Sequence, residues 1–153
     1  MKTKLAGVIK GKTVIIGIGN PLRGDDGFGP ALVASIDGKV DALCIDAGTA
    51  PENYTGKIVK VDPDTLIIVD AVHLEKEVGA VKVLKGEEIE SRGFTTHDLS
   101  PNMFMEYIKN NTRADIYLLG VQPGNLGFGS DMSDPVKKRL AELGAILKEV
   151  KNA

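Results

Sequence analysis

Two adjacent acids, Asp25 and Asp26, stand near the end of a glycine-rich run, Gly17-Ile18-Gly19-Asn20-Pro21-Leu22-Arg23-Gly24-Asp25-Asp26-Gly27-Phe28-Gly29-Pro30. Carboxylates just before a helix can satisfy its free N–H groups and suit its dipole. One aspartate suffices for that, and Asp25 is assigned to the capping role. Asp26 is then left either as a second structural acid or as a carboxylate aimed into a cleft. The loop alone does not choose between these. A dinucleotide-binding reading needs a third glycine where Leu22 stands, and a helix start free of the carboxylates that repel phosphate. No Gly-Lys-Ser/Thr follows, which excludes a Walker loop.

Other reactive side chains are few. Asp70 ends the apolar run Leu66-Ile67-Ile68-Val69. A carboxylate there is costly unless it is paired, hydrogen-bonded or metal-bound, or unless it caps a following turn. His97 lies in a polar loop, as a metal ligand, a structural histidine or an exposed one. His73, in Asp70-Ala71-Val72-His73, reads as an exposed loop histidine rather than an accessory ligand. The single cysteine, Cys44, sits in Ala42-Leu43-Cys44-Ile45 and reads as a buried, inert thiol. Ser35, Ser91, Ser100, Ser130 and Ser133 lack a G-x-S-x-G setting, and there is no H-E-x-x-H. An aspartic-protease dyad, two acids sharing one proton, is disfavoured because Asp46 to Thr49 lacks that motif setting.

The elements that must position these groups follow from the hydrophobic pattern. Short apolar runs at Thr13 to Ile18, Ala42 to Ile45, Leu66 to Val69, Ala80 to Leu84 and Ile116 to Val121 have strand character. Phe28, Leu32, Val33 and Ile36 recur at helical spacing. Ser100-Pro101 and Asp134-Pro135 each look like an N-cap followed by proline at the first helical position. The first leads into Met103, Phe104, Tyr107 and Ile108. The second leads into Val136, Leu140, Leu143, Leu147 and Val150, widened by Ile146. Both stripes are read as core packing. Alternating strands and helices predict one domain over residues 1–153, a three-layer α/β sandwich with a mainly parallel twisted sheet of about five strands. Function in such sheets gathers at the carboxyl ends of the strands. Gly19 to Asp26, Asp46 to Ala50 and Asp70 to His73 are therefore expected at one rim. Gly48 and Thr49 there either shape a substrate groove or form an ordinary tight turn.

The glycine loop, together with Asp46-Ala47-Gly48-Thr49-Ala50-Pro51-Glu52-Asn53, Ile67-Ile68-Val69-Asp70-Ala71, Thr95-Thr96-His97-Asp98-Leu99-Ser100 and Gly120-Val121-Gln122-Pro123, resembles the hydrogenase maturation endopeptidases. The order and approximate spacing fit over nearly the whole chain beyond the first dozen residues. The resemblance looks nearest to the branch serving formate-hydrogenlyase-type, membrane-bound hydrogenases, where the second acid of the loop is aspartate. It implies a metal site formed by Asp26, Asp70 and His97, which would also be the catalytic residues. It further implies removal of a short C-terminal extension from the large-subunit precursor of a nickel–iron hydrogenase after nickel insertion. Two carboxylates and one imidazole suit a divalent metal, either zinc or nickel presented by the substrate. His97 must be neutral to ligate, so activity is expected to fall below about pH 6.5, the unperturbed histidine value. A protein that holds the precursor without cutting it would keep the same three ligands.

Composition narrows the remaining classes. A net charge of -2 gives no electrostatic footprint for nucleic acid or an anionic membrane. One cysteine excludes an internal disulfide framework. No apolar run approaches the ~20 residues of a membrane span, and no secretory signal is visible. The expectation is a cytoplasmic monomer docking on a larger protein.

Overall fold

The computed structural model describes residues 1–92 and 101–153. In chain order the helices are α1 (Lys2–Val8), α2 (Phe28–Ile36), α3 (Thr55–Val61), α4 (Gly86–Arg92), α5 (Pro101–Asn111) and α6 (Asp134–Val150). The strands are β1 (Thr13–Ile18), β2 (Leu43–Gly48), β3 (Thr65–Ala71), β4 (Val81–Lys85) and β5 (Asp115–Val121). Single 3-10 turns at Gly24–Gly27 and Pro51–Tyr54 lead into α2 and α3.

Among the described residues the strands form one sheet in the order β2-β1-β3-β5-β4. All neighbours are parallel except β4, which runs antiparallel to β5. Every residue of β1 and β3 is buried, as expected of central strands covered on both faces. Alternation sorts their side chains into two cores. Ile15, Ile67, Val69, Ala71, Leu119 and Val121 pack with Leu5 of α1, Phe28, Leu32, Val33 and Ile36 of α2, and Val136, Leu143 and Leu147 of α6. Val14, Ile16, Leu66, Ile68 and Leu118 pack on the other face with Ile58 of α3, Ile89 of α4, and Phe104, Met105 and Ile108 of α5.

This arrangement creates a topological switch point. The chain leaves β1 through α2 on one face to reach β2, then returns through α3 on the opposite face to β3. The connections diverge between β1 and β3, and a crevice opens beyond the carboxyl ends of those two strands.

Several expected boundaries move. β2 runs on through Gly48 and β3 through Ala71, so Asp46 and Asp70 lie within strands rather than after them. The α5 stripe is narrower than its apolar residues suggest. Phe104, Met105 and Ile108 are buried, whereas Met103 and Tyr107 are 69% and 49% exposed. Ser133, not Asp134, is the N-cap of α6. Ser100, expected to cap α5, lies outside the described residues. No helix among the described residues is long and apolar enough to cross a membrane.

Candidate active site at the switch point

Glycines bring the first acid pair to the rim. A Cβ on Gly29, in the first turn of α2, would meet the Val69 carbonyl oxygen at 2.4 Å and the Ile18 carbonyl oxygen at 2.5 Å. Only glycine lets the helix sit this close to the ends of β1 and β3. Gly19 serves the turn before it: its φ is +151°, and a Cβ there would run into the Asp26 carbonyl oxygen. The Gly19 N–H donates to the Gly48 carbonyl at 2.8 Å, tying the end of β1 to the end of β2.

Asp26 is 6% exposed. Its Oδ2 accepts the Asn20 N–H at 2.9 Å, where the chain leaves β1. Its Oδ1 is buried and has no hydrogen-bond partner among the described residues. Leaving a buried polar atom unsatisfied costs about 1–3 kcal/mol, and more for a charged group. Such an oxygen can accept a cation, and in that respect Asp26 fits a metal ligand.

Asp70 is also 6% exposed, at the carboxyl end of β3, opposite Gly120 of β5. Alternation along β3 puts it on the face of Leu66 and Ile68, the face that α3, α4 and α5 cover. Asp26 and Asp70 thus flank the switch point, one beside the end of β1 and the other at the end of β3. His97 falls outside the described residues. The elements before and after it, α4 and α5, pack on the face to which Asp70 belongs. Among the described residues no group of three His, Cys, Asp or Glu side chains forms a ready metal cluster.

Asp25 does not cap α2. The N-cap of that helix is Gly27, with no side-chain hydrogen bond. Asp25 is fully buried and turns instead to the segment after β5. Its Oδ2 accepts the Gly124 N–H at 2.8 Å, the Asn125 N–H at 2.9 Å and the Ser133 hydroxyl at 2.6 Å. Its Oδ1 accepts the Ser133 N–H at 2.6 Å. Burial pushes this carboxyl up, but the Ser133 hydroxyl and the Asn125, Ser133 and Gly124 N–H groups outweigh it and hold it below the usual carboxylate value. Ser133 was missed as a partner. Its one signal in the sequence is its position directly before Asp134-Pro135, a place that suits an N-cap, yet its hydroxyl serves Asp25 rather than the helix.

The remaining candidates separate cleanly. Asp46 is exposed and accepts the Gly48 N–H at 3.0 Å, closing a small turn. Gly48 needs its φ of +55°, but a Cβ there would meet nothing within 4 Å. Gly48 thus forms a tight turn that leaves open space beside it. His73 is exposed. Cys44 is half-buried rather than buried, and burial together with the nearby Asp37 charge pushes its thiol up to about 11. It is no thiolate nucleophile at neutral pH. Gln122, the only glutamine, is buried and accepts the Leu74 N–H at 2.6 Å, fixing the segment that follows β3 against the end of β5.

A family model described as hydrogenase maturation protease, HycI, matches residues 32–149, a span that includes Asp70 and His97 and begins after Asp26. A putative hydrogenase maturation protease of Methanocaldococcus jannaschii is 34% identical, covering 93% of this chain and 92% of its own. The hydrogenase 3 maturation protease of Escherichia coli is 33% identical, covering 81% of each chain. The crystal structure of a nickel–iron hydrogenase maturation protease, HycI, from Thermococcus kodakarensis has the same fold. It matches with a TM-score of 0.88 at 35% identity, covering 96% of this chain and 97% of that one. With a family match over most of its length, relatives above 30% identity and a shared doubly wound sheet, this chain belongs to the hydrogenase maturation proteases.

Proposed function

We propose that this protease removes a short C-terminal extension from the large-subunit precursor of a nickel–iron hydrogenase, and that it recognises nickel already inserted there. The observation that carries the reading is the Asp26 Oδ1 atom, a buried carboxylate oxygen without a partner among the described residues at the switch point. Asp26, Asp70 and His97 would hold a divalent metal, either the nickel of the precursor or zinc. Such an ion, when bound, polarises a scissile carbonyl and makes a coordinated water more acidic. The chain's own residues do the positioning. Asn20 fixes the Asp26 carboxylate through its N–H, and the open space beside Gly48 leaves room for an extended substrate backbone. The overall reaction adds one water across one peptide bond. The C–N bond breaks, the acyl carbon gains the hydroxyl and the leaving nitrogen gains the proton. In this proposal the reaction is cytoplasmic and the protease acts as a monomer.

The test is incubation of the enzyme with nickel-loaded precursor, followed by intact-mass measurement. Loss of one C-terminal peptide is the expected result. A stable complex with no mass change would make the protein a holder of the precursor and overturn the reading.

A further inference from the structure

We propose that Asp25 is a positioning residue for the site, aiming the Asp26 carboxylate through the segment 124–133. This rests on the reading of Asp26 as the metal-facing acid. Asp25 and Asp26 are consecutive residues of one 3-10 turn, Gly24–Gly27. Side chains in such a turn are set about 120° apart, so fixing one direction fixes the other.

Asp25 is fixed strongly. Its four side-chain bonds go to Gly124, Asn125 and Ser133, and its own N–H donates to the Asn125 carbonyl at 2.8 Å. Gly24, at φ +55°, lets that carbonyl approach: a Cβ there would stand 2.3 Å from it. Two outer ties brace the same two segments, Gly129 N–H to the Leu22 carbonyl at 2.7 Å and Arg23 Nε to the Leu126 carbonyl at 3.2 Å. On the opposite side, the Asp26 carbonyl packs against Gly19. The turn is therefore held at several points, and the Asp26 carboxylate that it carries is anchored by the Asn20 N–H.

A carboxylate is the group this position requires. All four donors converge on its two oxygens, and a carboxylate accepts at both. Asn in its place would offer one acceptor oxygen and set an NH2 donor against an N–H or O–H donor. Asp25→Asn should therefore free the turn while leaving Asp26 and Asn20 themselves unchanged.

The experiment measures amide hydrogen exchange and cleavage kinetics on the full-length protein for Asp25→Asn, Ser133→Ala, Ser133→Thr and Asp26→Asn. Among the described residues no hydrogen bond joins Asn20 to Asp25, whereas the Asn20 N–H donates to Asp26 Oδ2, so its exchange rate reports the placement of that carboxylate. In Asp25→Asn we expect Asn20 exchange to rise at least tenfold while Ile16 and Ile68 amides in the sheet hold their parent rates. At a temperature well below unfolding, kcat should fall at least tenfold with KM nearly unchanged. Ser133→Ala removes only the hydroxyl and should give a smaller change of the same kind, which Ser133→Thr restores. If Asp25→Asn fails to fold, the Ser133 pair carries the test alone. Parent-like Asn20 exchange and kcat in Asp25→Asn, with Asp26→Asn inactive, would overturn the positioning role and leave the site reading standing. If Ser133→Ala stands in, parent-like values there have the same meaning. An Asp26→Asn enzyme cleaving at the parent rate would overturn both.

Discussion

Asp26 holds one oxygen against a backbone N–H and leaves the other buried without a partner among the described residues. A group arranged for a ligand in this way trades stability for function. Asp26→Asn keeps an acceptor for the Asn20 N–H and puts a neutral amide where a carboxylate is buried. In the metal-free protein the substitution should raise Tm by roughly 2–4 °C, the scale of about 1 kcal/mol in a chain of this size. Cleavage should drop by about 100-fold or more, as when one preorganised electrostatic contact is lost. A fall in Tm on calorimetry would mean that Asp26 is a structural acid. Cys44 gives a second check. With its thiol pushed up to about 11, roughly one molecule in a thousand is ionised at pH 8. The folded protein should resist a thiol reagent at pH 8, react faster as the pH rises toward 11, and react readily once unfolded, when an ordinary value near 8.5 returns. Cleavage should be insensitive to the same reagent; loss of activity in step with Cys44 labelling would contradict this.

Helix α2 reaches the rim because Gly29 lies against two strand carbonyls. Gly29→Ala should push it off the sheet, costing about 1–3 kcal/mol for overpacking, and should lower kcat because the acid turn moves with the helix. Gly48→Ala meets no atom, so its cost is the left-handed backbone alone, about 1–2 kcal/mol. Its kinetic effect should fall on KM, since the space beside it is assigned to substrate. Urea melts and steady-state kinetics on both variants separate the two glycines; equal kcat losses would refute the distinction. Much of this layout was legible beforehand. β1 and the stripe of α2 follow directly from unbroken apolar runs and helical spacing. Helices α1 and α3 gave no such stripe, because each buries one residue, Leu5 and Ile58, and α3 is rich in valine and lysine. The Asp25–Ser133 tie spans 108 residues, and no local pattern can announce a contact of that separation.

Across the whole molecule, the switch point does what no single motif does: it puts the acids of two distant segments beside neighbouring strand ends. Asp70 was readable as a site candidate because a carboxylate closing an apolar strand is costly. Asp26 was ambiguous, since adjacent acids look alike in sequence and only the fold sends one to the segment 124–133 and the other to the rim. In the proposed site, two carboxylates and an imidazole with no thiolate would hold a resting divalent ion loosely, and would complete the coordination of nickel held by a softer partner site. Substrate held in that way is already oriented for cleavage. The direct test is to strip the protease with a chelator, remove the chelator, and offer nickel-loaded and nickel-free precursor in parallel, reading both by intact mass. Cleavage of the loaded precursor alone is the expected result. Equal cleavage of both precursors would contradict nickel recognition and leave a protease indifferent to the metal in its substrate.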